Sequence, residues 1–204
     1  MAKLYFRYGT VGSAKTLNLL AVAHNYRRQG KHIILMKPLL DDRFGKEIIK
    51  SRAGLEKEAD LLVGPDTILK SEDFKEASCI LVDEAQFLSK SLIDQLRNIT
   101  MLLDVPVICY GLRTDFKSNL FEASKRLMEV ADTIEEIKCT CNFCNRKSIM
   151  NLKHVDGIAT IDGPSIQLGC EELYFPVCFS CYKTHIQEGI KKKSLTDTLP
   201  RLKP

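Results

Sequence analysis

Eight residues near the start of the chain, Gly9 to Thr16 (GTVGSAKT), lie between an apolar run at Leu4, Tyr5 and Phe6 and a long stretch with helical spacing. A strand, a glycine-bearing loop and a helix in that order leave few folds open, because the loop's backbone N–H groups and the helix N-terminus converge on one anion-sized point. In that arrangement Gly9, Thr10, Val11, Gly12, Ser13 and Ala14 cradle a polyphosphate, Lys15 reaches its outer oxygens and the Thr16 hydroxyl suits Mg²⁺. Ala14 stands where the general pattern has a second glycine. A negative φ at the start of the helix lets alanine sit there without strain, and that conformation is expected. The plainer alternative for the string alone is a glycine-rich turn that caps an ordinary helix.

Context favours the phosphate reading. Leu17, Leu20, Ala21 and His24 continue at helical spacing to a stop at Gly30. Apolar strands follow at His32 to Met36, Cys79 to Val82 and Val105 to Tyr110, with a helical stretch from Ser89 to Leu103 between the last two. Short strands alternating with helices predict a parallel sheet covered on both faces, an α/β fold. Ligands bind such sheets at the carboxyl ends of the strands. There the chain places GTVGSAKT, KPLLDDRF, DEAQF and GLRTDF, so that these motifs share one edge.

An apolar strand that ends in Asp83 supplies the carboxylate that holds Mg²⁺ beside a phosphate loop. Glu84, next to it, is the expected general base, because phosphoryl transfer calls for a group that orients the attacking hydroxyl and takes its proton. From the residues alone Glu84 also fits a water-activating role in a phosphohydrolase, or a helix cap. Arg43 and Arg113 are the cations suited to neutralise a phosphoryl group in transfer, Arg43 the favoured one; ordinary ion pairs with Asp41 or Asp115 are the alternative. Phe87, Leu112, Phe116 and Phe121 form either an apolar slot for a flat base or a loop-packing cluster, and the pattern does not separate the two.

No apolar run approaches the ~18–20 residues of a membrane helix and no N-terminal signal pattern is present, so a cytoplasmic location is expected. In that compartment eight cysteines point to metal instead of disulfides. Cys141-x₂-Cys144 and Cys178-x₂-Cys181 are two thiolate knuckles with 33 residues between them, a closed set for a structural Zn²⁺. The spacing exceeds the ~15–20 residues of a compact ribbon, which leaves room for a loop with another task. Cys139, Cys170 and His185 lie near enough to compete as ligands. Cys79 and Cys109, inside apolar strands, are expected as buried small hydrophobes, and His24 and His154 as structural or surface residues. The net charge of +4 resides in residues 190–204, where five basic residues stand against one acidic. The remainder balances and offers no basic field for nucleic acid.

The order of these motifs resembles the type II thymidine kinases, cytosolic enzymes that join a phosphate-loop domain to a small zinc domain. The likeness runs from residue 3 to about 185 and rests on GTVGSAKT, KPLLDDRF, DEAQF, YGLRTDF, the two knuckles and IQLGCEELYFPVC before the second knuckle. It implies a P-loop parallel sheet flanked by helices, with a small zinc-ribbon-like domain. The implied reaction transfers the γ-phosphoryl of ATP to the 5′-hydroxyl of thymidine or deoxyuridine, in pyrimidine deoxynucleotide salvage. Glu84 falls on the family's catalytic base, and Lys15, Thr16 and Asp83 on its phosphate and Mg²⁺ positions. Ala85 and Gln86 accompany the acidic pair at the ATP site, and Asp41 and Arg43 fall on a D-x-R motif near the reacting centre. Val11, Phe87, Leu112, Phe116, Phe121 and Tyr174 match positions around the nucleoside. A loop at about Ile161 to Tyr174, including Ile166, Gln167, Leu168 and Gly169, is implied to read the base through its backbone. Cys170 stands where that loop often has the second of two glycines.

The family assembles as a tetramer and is inhibited by thymidine triphosphate, so a homotetramer with that inhibitor, and without nucleic-acid or membrane partners, is implied. Expected domains are 1–138 for the phosphate loop and kinase chemistry, 139–189 for zinc and the substrate-covering loop, and 190–204 for a basic, disordered tail. The leading rival is a nucleic-acid-dependent ATPase, since DEAQ also resembles the acidic motif of helicases. Residues 139–204 are too few and too cysteine-centred for a second motor domain. A zinc-ribbon adaptor for nucleic acid is disfavoured by the balanced charge of the body.

Overall fold

The central strands are buried at every position, and their side chains alternate between two cores, which builds the layers. The computed structural model describes residues 1–166 and 173–197. In chain order the strands are β1 (Leu4–Tyr8), β2 (Ile33–Pro38), β3 (Ile48–Lys50), β4 (Glu56–Glu58), β5 (Leu61–Val63), β6 (Cys79–Val82), β7 (Val107–Gly111), β8 (Thr133–Glu136), β9 (Met150–Val155), β10 (Ile158–Thr160) and β11 (Tyr174–Val177). The helices are α1 (Lys15–Arg28), α2 (Lys90–Leu103), α3 (Glu122–Val130) and α4 (Phe179–Asp197).

Six strands pair in parallel in the order β5-β2-β6-β7-β1-β8. Successive side chains of a strand point to opposite faces. Ile34, Met36, Ile80, Val82, Val107 and Cys109 therefore enter one core with Leu92, Ile93 and Leu96 of α2 and Leu127 of α3. Ile33, Leu35, Cys79, Leu81, Ile108 and Tyr110 enter the other, with Leu19, Leu20 and Ala23 of α1. Each such buried aliphatic side chain stabilises the fold by roughly 1.5–3 kcal/mol. This is the expected helix-covered parallel sheet. Cys79 and Cys109 are the small hydrophobes foreseen: burial pushes the Cys79 thiol up to about 12 and raises Cys109 as well.

Boundaries depart from the sequence reading where the signal is weakest. β5 and β8 extend the sheet at its two edges, but each is short and only partly buried, so neither shows as an apolar run. The helix α1 stops as foreseen, and Gly30 takes φ 69°, the left-handed turn that glycine permits.

Past β8 the chain forms an antiparallel sheet in the order β10-β9-β11. Its core holds Met150, Leu152, Ala159, Val177 and Tyr182 together with Cys141 and Cys178. The helix α4 lies against β10 so closely that a Cβ at Gly189 would stand 2.0 Å from the Ala159 carbonyl oxygen. That helix runs on to Asp197, so residues 190–197 extend it, where a disordered tail was expected; 198–204 lie outside the described residues. Among the described residues no helix is long and apolar enough to cross a membrane.

Candidate active site

The carboxyl ends of β1, β2, β6 and β7 open into a cavity of about 410 Å³, a size suited to a small-molecule ligand. The phosphate-loop residues Val11, Gly12, Ser13, Ala14, Lys15 and Thr16 line one side. Gly9 and Thr10 stand behind them. Gly9 is wedged so that a Cβ would meet Ser13 Oγ at 2.3 Å and the Ile137 carbonyl at 2.5 Å, which is why this position takes glycine.

Ala14 corrects the expectation of negative φ. It sits at φ 62°, ψ 28°, in the left-handed region, as the cap that leads into α1. For an L-residue that conformation costs about 1–2 kcal/mol, so the missing glycine leaves strain in the loop. Lys15 is buried and curls back, its Nζ donating to the Thr10 carbonyl at 2.8 Å and the Gly9 carbonyl at 3.3 Å. Burial pulls its ammonium below the ordinary value, against the opposing pull of Glu84 and Asp83.

Thr16 donates its hydroxyl to the Asp83 carboxylate, at 3.1 and 3.2 Å from the two oxygens. Hard oxygen donors set side by side at a phosphate loop fit Mg²⁺. Burial, and next the negative charge of Glu84, push the Asp83 carboxyl up to about 7.

Glu84 follows in the left-handed region as well, at φ 47°, ψ 39°. The turn aims its carboxylate into the cavity, where 14% of the side chain stays accessible. One oxygen accepts from Arg43 Nη2 at 2.6 Å, and the other accepts from Gln86 Nε2. Burial favours the neutral acid, but Arg43 and Lys15 outweigh it and hold the carboxyl below its ordinary value. Glu84 is therefore an anion at neutral pH, oriented from two sides. Non-glycine residues held in this backbone region cluster where geometry serves function.

Arg43 is itself fixed, with Nε donating to Asp41 at 2.5 Å. Burial disfavours its charge, but Glu84 and Asp41 raise the guanidinium above its ordinary value, so it stays a cation. Asp41 is buried, which raises its carboxyl; Arg43 and Lys37 more than offset this and leave it lowered. Lys37, on β2, sits 3.4 Å from Asp41 and completes a chain of alternating charge that sequence reading missed. Of the two arginines considered, Arg43 faces the cavity, whereas Arg113 lies over the Tyr8 ring and donates to the Ile149 carbonyl.

The far wall is apolar. Phe87, Leu112, Phe116, Phe121, Tyr174 and Ile166 line it, with Phe87 edge-on to Phe121 and Phe116 beside Tyr174, each pair about 6.0 Å between ring centres. Phe116 is also core, only 1% exposed, so the slot and the packing cluster are one set of rings. Ala85 does not reach the cavity: it is fully buried beneath the acidic pair. Gln86 links the Glu84 carboxylate to the end of β7 by accepting from the Leu112 N–H at 2.9 Å. Gln167, Leu168, Gly169 and Cys170 lie outside the described residues. Thr114 and Asp115, within GLRTDF, also line the cavity, and so do Arg52 and Asn151, whose segments carried no local sign of it.

Away from this cavity, Cys141, Cys144, Cys178 and Cys181 bring four Sγ atoms within 4.8 Å of one another. The Cys144 and Cys178 sulfurs are 3.7 Å apart. A tetrahedron with Zn–S bonds of about 2.3 Å has edges of about 3.8 Å, so the set fits a closed zinc site. Burial raises the Cys141 thiol, but backbone N–H groups of Cys178 and Phe143 and the neighbouring thiols bring it down to about 7, toward the thiolate a metal needs. Cys139 and His185 are elsewhere: Cys139 Sγ approaches the Gly12 carbonyl, and His185 stacks on Phe143 at 4.1 Å.

Comparison with known proteins bears on this geometry. The family model described as thymidine kinase matches residues 2–182. The chain belongs to the thymidine kinase family. A curated thymidine kinase of Lactiplantibacillus plantarum is 44% identical over 180 residues, covering 87% of this chain and 94% of its own. Those of Streptococcus gordonii and Streptococcus pyogenes serotype M28 are 44% and 42% identical, each across 89% of this chain and nearly all of theirs. Among solved structures the Pif1 helicase of Candida albicans aligns with a TM-score of 0.39 and 13% identity, over 67% of this chain and 36% of its own, too loosely to carry an argument. Membership thus rests on sequence across nearly the whole chain.

Proposed function

We propose that this protein is a thymidine kinase, which transfers the γ-phosphoryl of ATP to the 5′-hydroxyl of thymidine or deoxyuridine. The observation that carries the reading is Glu84: an anion fixed by Arg43 and Gln86, between a phosphate loop on one side and an aromatic slot on the other. That placement lets one carboxylate touch the hydroxyl of a nucleoside whose base lies among Phe87, Phe116 and Tyr174.

In the proposed reaction Lys15 and the loop N–H groups hold the β- and γ-phosphates of ATP. Thr16 and Asp83 would hold Mg²⁺, which neutralises charge on the phosphates when bound. The 5′-oxygen attacks the γ-phosphorus in line as its proton passes to Glu84; the bond from that phosphorus to the bridging oxygen breaks, and ADP leaves. Arg43 stays charged throughout and stabilises the phosphoryl group in transfer, in addition to orienting Glu84. Ser165 and Ile166, which line the cavity, stand beside the nucleoside. Four thiolates leave a zinc ion no open position, so its role is structural.

The same reading includes a kinase domain at 1–138 and a zinc domain at 139–189, a cytoplasmic homotetramer, and inhibition by thymidine triphosphate. Incubation with Mg·ATP and thymidine, with thymidine omitted in a second tube and DNA added to a third, tests it. Thymidine monophosphate with matching ADP is the expected product. ADP released only with DNA, and no monophosphate, would overturn the assignment.

A further inference from the structure

The phosphate loop is held from outside its own segment. Asn151, on β9, is buried with both ends of its amide engaged: Oδ1 accepts from the Val11 backbone N–H at 2.9 Å and Nδ2 donates to the Thr114 carbonyl at 3.0 Å. Ser148, just ahead of β9, is also buried; its hydroxyl meets that of Thr10 at 2.9 Å and donates to the Cys139 carbonyl at 3.0 Å. The antiparallel sheet therefore grips two consecutive residues of the phosphate loop, Thr10 and Val11.

We infer that Asn151 is a positioning residue for the ATP phosphates: from the cavity wall it fixes the Val11 backbone N–H, and with it the curvature of residues 9–16. The inference deepens the kinase reading and rests on it. Val11 follows β1 and Thr114 follows β7, so one amide ties the loops after two neighbouring strands at a set separation. The loop needs an external tie because Gly12 and Ala14 both take positive φ, and at Ala14 that conformation is strained. The amide presents a donor to the Thr114 carbonyl and an acceptor to the Val11 N–H at once; aspartate lacks the donor and leucine both. β9 pairs with β11, which leads directly into Cys178, so the four-cysteine cluster sets where this tie stands.

The test uses the full, zinc-loaded chain and calorimetric binding of the Mg²⁺ complex of a non-hydrolysable ATP analogue, with melting temperature, zinc content and both KM values measured alongside. Asn151→Ala leaves the Val11 N–H and the Thr114 carbonyl without a partner. It is expected to weaken analogue binding and raise KM for ATP by about tenfold or more, the scale of an unpaired buried polar group. KM for thymidine should rise less than KM for ATP, because only the Val11 flank of the slot shifts, and zinc should stay stoichiometric, because its four candidate ligands are untouched. Ser148→Ala should act in the same direction with a smaller effect. Unchanged analogue affinity in folded, zinc-loaded Asn151→Ala overturns the inference; where that variant does not fold, unchanged affinity in Ser148→Ala does so. A wild-type chain that binds no analogue overturns the kinase reading itself, so the two failures are distinct.

Discussion

The parallel sheet carries an apolar core on each face, built from aliphatic side chains of β1, β2, β6, β7, α1, α2 and α3. The antiparallel sheet of β9, β10 and β11 rests on one small core, and two of its seven buried residues are cysteines of the four-sulfur cluster. The first region is stabilised by area removed from water and stands on its own side chains. The second has far less apolar area to bury, and the zinc proposed for its four cysteines would add to its stability. The cavity sits where they meet: residues 11–17, Arg43 and Glu84 come from the side of the large sheet, while Asn151 and Tyr174 come from the small one.

The sharpest way to break this comparison is to remove the metal. Cys144→Ser should lose zinc, with a loss for the small sheet on the order of 10 kcal/mol, the scale of structural zinc. Hydrogen exchange should show β9 and β11 opening while β2, β6 and β7 stay protected. Equal loss of protection in both sheets would show that they form one cooperative unit.

Next in size is Glu84→Gln, which tests whether the chemistry resides on the large sheet. Turnover should fall about 10²-fold or more, the usual scale for loss of a general base, with Mg·ATP binding retained. Steady-state kinetics beside calorimetry read both quantities, and undiminished turnover would remove Glu84 from the role.

Asp83 gives the third test. In the folded protein its carboxyl titrates at about 7 against an ordinary 3.8. Between those values the folded state keeps a proton that the unfolded chain has lost. Its contribution to stability is thus full below the ordinary value and is lost as pH rises through about 7. In Mg²⁺-free buffer, melting temperatures from pH 4 to 8 should show this decline, and Asp83→Asn should flatten it.

The smallest effect concerns Ala14. Glycine in its place removes the left-handed strain and should add about 1 kcal/mol, or roughly 2–4 °C in Tm. An unchanged or lowered Tm would mean that the loop relaxes its strain at that position in solution.

Legibility in the sequence followed distance along the chain. The phosphate loop, the acidic pair after β6 and the cysteine knuckles are each formed by neighbours in sequence, so residue type and spacing were enough to place them. The central strands and the two helix-covered faces were legible for the same reason, as local apolar runs. The edge strands β5 and β8 were not, because half-exposed strands of three or four residues carry little apolar signal. Arg43 was favoured over Arg113 from the sequence, but its contact with Glu84 across 41 positions required the fold, because no local pattern encodes that pairing.

By itself, then, the sequence determined which groups the protein possesses and on which edge of the sheet they gather, since strand alternation, loop chemistry and thiol spacing are short-range properties. Tertiary structure alone decided how those groups are held. It set the left-handed turns at Ala14 and Glu84, the ordering of Asp41, Arg43 and Glu84 into one chain of charge, and the reach of Asn151 to Val11 across 140 positions. The physical reason is that backbone strain and buried polar pairing are fixed by everything packed around a residue, and its neighbours in sequence supply only part of that surrounding.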